Sequence, residues 1–186
     1  MQNQNNEFRR EPHVDGKDRR VTGEGKTRHA RSDFDAKNSA KNRAIKEYRR
    51  TMEYVREHKL GSKWVDCKKY TFESEELKDQ LLPSVSQNES IPILNTDTLE
   101  MAKTFVELYG SVCILNMASD KKAGGGAENG ALAQEEFIAY RSSLVSSLTT
   151  TFYALQSNEL LFSPSVTVFK DAEYEALEIP FKCSVI

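Results

Sequence analysis

The sequence is poor in the residues that build metal centres, disulfides and imidazole-based active sites. Its three cysteines are widely spaced and form no Cys-x-x-Cys pair, so neither a disulfide framework nor a structural zinc site is expected. Its three histidines, His13, His29 and His58, all lie in the first third of the chain. Hydrolases built on Ser–His–Asp, Cys–His or histidine-bound zinc are therefore not expected. Carboxylates remain for acid–base chemistry, and we expect no metal and no cofactor.

Long apolar runs are missing as well. No segment approaches 18 consecutive apolar residues, and the polar first six residues do not resemble the start of a signal peptide. We therefore expect no membrane association. The unpaired cysteines favour a reducing compartment, the cytoplasm or the nucleus. At 186 residues, of which 38% are hydrophobic and 29% charged, the chain has room for one domain with one core.

Charge is distributed unevenly along the chain. The first 59 residues carry 16 basic and 10 acidic residues, whereas the remainder carries 10 basic and 18 acidic residues. Residues 1–38 contain few large aliphatic side chains, which predicts a disordered basic leader. Such a leader could tether the protein to nucleic acid or another polyanion through weak contacts, or it could be a solvated tail.

Hydrophobic periodicity predicts an α/β fold. Helices are predicted at 39–59, 74–82, 96–109 and 131–148, and strands at 63–72, 91–94, 111–117, 166–169 and 181–186. Thr96 or Asp97 is expected to cap the helix at 96–109, and Gly110 to end it. The apolar run 111–117 predicts a strand buried on both faces at the centre of a helix-covered sheet. A ligand is expected at the carboxyl end of that strand.

The strongest chemical signal follows this strand. Three consecutive glycines, Gly124, Gly125 and Gly126, are followed after seven residues by a Gln-Glu-Glu sequence at 134–136. Glycines let the backbone adopt positive φ and let main-chain N–H groups approach an anion closely. Two adjacent carboxylates can differ in proton affinity, because like-charge repulsion raises the pKa of one of them. A phosphate-binding loop beside an acid pair suits cleavage of a glycosidic bond within a nucleotide diphosphate sugar.

Each feature also has a purely structural explanation. A glycine triplet is often a flexible turn, and paired glutamates at a helix start often complement the helix dipole on a solvated face. Asn116 lies inside the apolar run and fits either a structural hydrogen bond or a ligand contact. Arg141 could pair with Glu135 or Glu136, or face solvent. The joint spacing of the glycines and the acid pair behind a buried strand favours the functional explanation.

Several segments resemble a known family. They are Asn-Thr-Asp-Thr-Leu-Glu at 95–100, Cys-Ile-Leu-Asn-Met-Ala-Ser at 113–119, the glycine triplet, the Gln-Glu-Glu sequence, Arg-Ser-Ser-Leu at 141–144 and Phe-Ser-Pro-Ser-Val-Thr-Val-Phe-Lys-Asp at 162–171. Together they resemble the microbial-type poly(ADP-ribose) glycohydrolases, whose motif is GGG, a short spacer and QEE. The last segment is similar to that family's YSPDVPVFRD. The resemblance covers about residues 40–186.

The resemblance implies a macrodomain-like three-layer α/β fold with a central mixed sheet flanked by helices. Residues 39–186 would form the N-terminal portion of this domain, after the leader at 1–38. In the family, the segment that matches residues 181–186 leads into a second half, which supplies a second phosphate loop and much of the adenine pocket. The resemblance therefore implies that the C-terminal part of the fold is missing from this chain.

The resemblance also implies roles for individual residues. Glu136 would be the general acid that protonates the departing ribose oxygen, and Glu135 would hold ribose hydroxyls and stabilise the cationic transition state. The amides of the three glycines would bind the diphosphate, and Gln134 would orient the acid pair. Ser119 stands where many macrodomains have an asparagine that grips the distal ribose, and Asn116 is a further candidate for substrate binding.

The implied activity is hydrolysis of ribose–ribose glycosidic bonds in poly(ADP-ribose), with release of ADP-ribose by a monomeric enzyme. The substrate would be the free polymer or an ADP-ribosylated protein. The alternative is a truncated, catalytically inactive module that binds ADP-ribose or another partner.

Overall fold

The computed structural model describes residues 24–60, 67–72 and 92–186, with side chains from residue 33 onward. The regular elements are four α-helices and four strands within these residues, in the order α1 Glu24–Glu57, β1 Lys68–Thr71, α2 Thr98–Tyr109, β2 Cys113–Ile114, α3 Gln134–Ala139, α4 Leu144–Ser147, β3 Glu159–Lys170 and β4 Ala176–Val185. Short 3-10 helices lie at Ala127–Asn129 and Thr150–Phe152. The chain divides into the units Met1–Asp35 and Ala36–Ile186, and the fold described below is that of the second unit.

The strands form one mixed sheet in the order β1-β3-β4-β2. β3 pairs antiparallel with β1 and with β4, whereas β2 pairs parallel with β4. The main core combines residues of β2, β3 and β4 with residues of α2, α3 and α4: Leu99, Ala102, Ile114, Ile138, Leu144, Val166, Val168, Cys183 and Val185. The predicted strands at 166–169 and 181–186 are thus confirmed as parts of a longer hairpin.

β2 is shorter than predicted and lies at the edge of this sheet. Its side chains alternate: Ile114 and Asn116 are buried, whereas Leu115 is 66% exposed and Met117 is 74% exposed. The prediction of a central strand buried on both faces is therefore wrong for the described chain. The error has a physical reason, since a continuous apolar run predicts two covered faces and here one face has no described element over it.

α1 is longer than predicted. It begins at Glu24, so residues 24–38 are helical rather than disordered, and residues 1–23 lie outside the described residues. No proline or glycine interrupts the sequence from Lys26 to Leu60, and its many Ala, Arg, Lys and Glu residues favour helix. The buried stripe of α1 packs on the end of β3, where the ring of Tyr54 stacks on Phe169 at 4.3 Å between centroids.

A buried ion pair fixes the same contact. Lys170 at the end of β3 donates from Nζ to Glu47 Oε2 at 3.2 Å and to Thr51 Oγ1 at 3.0 Å. Burial lowers the pKa of Lys170, and the Glu47 carboxylate opposes that change. Because each of these buried charges needs the other as its partner, the pair favours one position of α1 along the sheet.

α2 has the ends that its sequence predicts. Asp97 caps it by accepting hydrogen bonds from the N–H groups of Leu99 and Glu100, and Gly110 ends it with φ of +79°. Asp97 also holds the guanidinium of Arg141 through two bonds of 3.0 and 2.7 Å. Arg141 therefore neither pairs with the acid pair nor faces solvent, contrary to both alternatives from the sequence.

The predicted helix at 131–148 is broken into α3 and α4. Between them the backbone pairs with β3: Ser142 forms a bridge with Val168, and Ser143 donates from N–H to the carbonyl of Thr167 at 2.9 Å. The N–H of Phe169 donates in turn to the carbonyl of Arg141. Bonds to the sheet thus replace helical bonds in this stretch, which a helical hydrophobic pattern does not reveal.

Other predictions have mixed outcomes. The strand predicted at 63–72 is confirmed as β1 over Lys68–Thr71, while residues 61–66 and the helix predicted at 74–82 lie outside the described residues. The strand predicted at 91–94 is wrong for 92–94, where Ile93 and Leu94 are exposed in irregular backbone. Within the described residues, no helix combines the length and the hydropathy that a membrane span requires.

The Asp97–Arg141 pair gives a first prediction. Asp97→Asn keeps the cap but leaves a guanidinium that is 3% exposed without its counter-charge. We expect a loss of roughly 2–3 kcal/mol in the free energy of unfolding at pH 7, somewhat below the cost for a fully buried pair. Glu107→Gln, in an exposed pair with Lys103 on the same helix, is the control and should cost less than about 0.5 kcal/mol.

The same pair predicts a pH dependence. Although burial opposes ionisation of Asp97, the hydrogen bond and charge of Arg141 hold the pKa of Asp97 below its usual value. The stabilisation is therefore complete above the unfolded-state pKa of about 3.9 and is lost as pH falls through the folded-state pKa. Urea denaturation of wild type and Asp97→Asn should converge below about pH 4. A gap that is constant from pH 7 to pH 3 would contradict the assignment.

Candidate active site

The acid pair lies in the first turn of α3 and is buried. Glu135 is 3% exposed and Glu136 is 6% exposed. Ala133, the residue before α3, has an extended backbone, and the helix begins at Gln134.

Backbone N–H groups hold each carboxylate in place. Glu135 Oε2 accepts a hydrogen bond of 2.8 Å from the N–H of Ser119, in the loop after β2. Glu136 Oε1 accepts a hydrogen bond of 2.7 Å from the N–H of Gly126, and Glu136 Oε2 accepts one of 3.2 Å from the N–H of Ala133. Three chain segments therefore meet on the two side chains.

The glycine loop packs directly on these carboxylates. A Cβ atom at Gly125, where φ is +55°, would lie 2.5 Å from Glu136 Oε1 and 2.7 Å from Glu135 Oε2. The N–H of Gly125 donates to the carbonyl of Lys122, and the N–H of Gly126 donates to Glu136. Both amides have internal acceptors, so diphosphate binding by Gly124, Gly125 and Gly126 stays a prediction that would require these bonds to exchange.

Gln134 has a different set of partners from those predicted. Its Oε1 accepts from the N–H of Met117 at 2.9 Å, and its Nε2 donates to the carbonyl of Leu115 at 3.2 Å. Nε2 also lies 3.4 Å from Thr98 Oγ1. The amide thus fastens the end of β2 to the start of α3, and it orients the acid pair only through the backbone.

A cavity of about 290 Å³ opens at the carboxyl ends of β2 and β4. Its polar lining includes Asn116, Ser119, Asp120, Glu135 and Glu159, and no Lys or Arg lines it within the described residues. Leucines from α4, from the segment after it and from β3 form an apolar wall. The position agrees with the ligand site that the sequence predicts at the end of the strand.

The structure divides the predicted site residues into two groups. Asn116, Ser119 and Glu135 line the cavity, whereas the glycine triplet, Gln134 and Glu136 lie outside its lining. Within the described residues, Asn116 Oδ1 and Glu135 Oε1 are buried oxygens with no hydrogen-bond partner. Buried polar atoms are rarely left unpaired, and two in one cavity suit a ligand that donates hydrogen bonds.

Burial raises the pKa of Glu135. The N–H of Ser119 opposes this shift, and the charge of Glu136 adds to it. The charged form of Glu135 has lost contact with water without gaining a cation, which favours its protonated form. The cavity combines a carboxyl group, an amide oxygen and an apolar wall, which is a set suited to a sugar.

Comparison with known proteins agrees with this geometry. The model of the microbial-type PARG (poly(ADP-ribose) glycohydrolase) catalytic domain matches residues 36–171, which include the acid pair and the glycine loop. The chain belongs to the microbial-type PARG family. No match is found among curated protein sequences.

Solved PARG structures share the fold of this family member. Poly(ADP-ribose) glycohydrolase from Thermomonospora curvata is 25% identical with a TM-score of 0.64, and the match covers 77% of this chain and 62% of that one. The same enzyme bound to the inhibitor ADP-HPD gives a TM-score of 0.61 at 25% identity, over 77% and 61% of the two chains. The Deinococcus radiodurans enzyme in complex with ADP-ribose is 29% identical with a TM-score of 0.57, over 64% and 53%. The chain thus spans less than two thirds of these relatives.

Sequence reasoning missed one wall of the PARG cavity. Tyr153, Leu155 and Gln156 line it from the segment after the second 3-10 helix. The N–H of Leu155 donates to the carbonyl of Asp120 at 2.7 Å, which ties this segment to the loop after β2. No periodicity marks these residues, and only an aromatic residue in a polar, irregular stretch could have drawn attention to them.

Gly125→Ala tests the packing of the loop on the acid pair. An alanine at this position would lose about 1–2 kcal/mol because its backbone is left-handed, and its Cβ would also displace both carboxylates. Gly110→Ala is the matched control, because Gly110 also has positive φ but a Cβ there meets nothing within 4 Å. In urea denaturation we expect Gly125→Ala to lose at least about 1 kcal/mol more than Gly110→Ala. Equal losses would show that the loop is not packed on the acid pair.

Proposed function

We propose that the protein hydrolyses the ribose–ribose glycosidic bonds of poly(ADP-ribose) and releases ADP-ribose. Membership in the microbial-type PARG family supports this reaction class. The observation that carries the proposal is the buried carboxyl group of Glu135 in the cavity lining, next to Glu136, together with two buried oxygens, Glu135 Oε1 and Asn116 Oδ1, that have no hydrogen-bond donor within the described residues. The hydroxyl groups of ribose are donors of this kind.

The charge of the cavity supports binding of the sugar rather than the diphosphate. Asp120, Glu135 and Glu159 contribute carboxylates, and the only cation in contact with them within the described residues is Lys69, which pairs with Glu159 at 2.7 Å. An anionic diphosphate would be repelled from such a lining. At about 290 Å³ the cavity is also at the small end of ligand sites, so it fits part of an ADP-ribose unit.

In the reaction that we propose, one carboxyl group protonates the departing ribose oxygen, water adds to the anomeric carbon, and the proton that this water loses returns to the same carboxylate. Glu136 is the proposed acid, and Glu135 holds ribose hydroxyls and stabilises the oxocarbenium-like transition state. The bond from Ala133 is the longer of the two that hold Glu136. We therefore expect Glu136 Oε2, which accepts that bond, to be the oxygen that carries the transferred proton.

A pair of isosteric variants tests the proposal. Glu136→Gln keeps the size of the side chain but cannot deliver a proton, so release of ADP-ribose from poly(ADP-ribose) should fall at least about 100-fold. Glu128→Gln, on the exposed end of the glycine loop, is the control and should keep full activity. ADP-ribose affinity, measured by calorimetry, should change little in Glu136→Gln. Near wild-type turnover by this variant would remove Glu136 from the role of acid.

The same experiment separates the alternative function. The alternative is a module that binds ADP-ribose in the same cavity without turnover. It is considered because the match covers only 62% of the solved Thermomonospora relative. Such a module would bind ADP-ribose in calorimetry, yet wild type and Glu136→Gln would both lack hydrolysis. Hydrolysis by wild type that is lost in Glu136→Gln excludes the module.

A further inference from the structure

Tyr153 lines the same cavity as Glu135 and belongs to a different segment of the chain. It follows the 3-10 helix Thr150–Phe152, and its N–H donates to the carbonyl of Thr150 at 3.3 Å. Its side chain is half-buried and lines the cavity. The N–H of Leu155, two residues further on, donates to the carbonyl of Asp120, which ties this backbone segment to the loop that also carries Ser119.

The hydroxyl group of Tyr153 is a donor that the protein does not use. Within the described chain, no hydrogen bond is made by its Oη, whereas the hydroxyl of the buried Tyr140 donates to the carbonyl of Ala131 at 2.7 Å and lies 3.2 Å from that of Ala127. Burial raises the pKa of Tyr153 to about 12, and the charge of Glu135 adds to this shift. At neutral pH the group is therefore an uncharged O–H donor.

Tyr153 supplies a hydrogen-bond donor to a cavity whose lining also contains acceptors. Glu135 Oε1 and Asn116 Oδ1 are unpartnered acceptors, and a ribose hydroxyl can donate to either of them. The same hydroxyl oxygen, or its neighbour on the ring, keeps lone pairs that can accept from a phenol. The cavity therefore offers both acceptors and a donor to a sugar with adjacent hydroxyls.

We infer that Tyr153 is a substrate-binding residue of this site, whose hydroxyl donates to an oxygen of the ribose held against Glu135. This inference rests on the proposed function and adds to it a residue that selects for a hydroxylated sugar. A site that hydrogen-bonds a hydroxyl rejects analogues that lack it, because its buried polar groups are then left unpaired. Tyr153 would act on binding rather than on proton transfer.

Tyr153→Phe removes only the hydroxyl group and tests the inference on the full chain. We expect the Kd for ADP-ribose and the KM for poly(ADP-ribose) to rise about five- to tenfold, with kcat changed less than twofold. The melting temperature should not fall, since the hydroxyl makes no hydrogen bond within the described residues. Tyr109→Phe, at a tyrosine that is 75% exposed on α2, is the matched control.

The outcomes separate this inference from the proposed function. Wild-type affinity and KM in Tyr153→Phe, with an active wild type, would overturn the role of Tyr153 and leave the hydrolase standing. A lowered kcat with unchanged Kd would also overturn it, because the residue would then act on the chemical step. A wild-type protein that neither binds ADP-ribose nor cleaves the polymer would overturn both the proposed function and the role of Tyr153. If the wild-type protein binds ADP-ribose without cleaving the polymer, the Kd of Tyr153→Phe still tests the role of Tyr153.

Discussion

The burial of two adjacent carboxylates is the constraint on which the rest of the site depends. Desolvation and mutual repulsion make this arrangement costly, and backbone N–H groups of Ser119, Gly126 and Ala133 offset that cost. These donors belong to three separate segments, so the loop after β2, the glycine loop and the start of α3 must be held together. Gly125 permits this because it has no side chain. The glycine loop therefore serves primarily to hold the acid pair in place.

Much of the fold and the position of the candidate cavity could be predicted from the sequence. The cap at Asp97, the end of α2 at Gly110 and the strand segments within β3 and β4 follow from local signals, namely a capping side chain, a glycine and short apolar runs. The position of Glu135 at the carboxyl end of a strand follows from the α/β pattern together with the glycine and acid motifs. Strong local patterns and short-range chemistry were sufficient for these features.

The features that could not be predicted depend on contacts between distant segments. The break between α3 and α4 arises because Ser142 bonds to β3, and the partner of Arg141 is a residue on another helix. The exposure of Leu115 depends on whether another element covers that face of the sheet, which an apolar run does not specify. Tyr153 reaches the cavity through an irregular segment without periodicity. In each case the sequence restricts the residue type but not its partner.

The central claim is that burial holds Glu135 at the cavity with an easily protonated carboxyl group. A ¹³C NMR titration of protein labelled at the glutamate side-chain carboxyl tests it most directly, with the Glu135 signal assigned by its loss in Glu135→Gln. We expect a midpoint clearly above the ordinary value of about 4.3, because desolvation and the charge of Glu136 both raise this pKa. A midpoint at or below that value would show that the carboxylate is solvated rather than buried at the cavity.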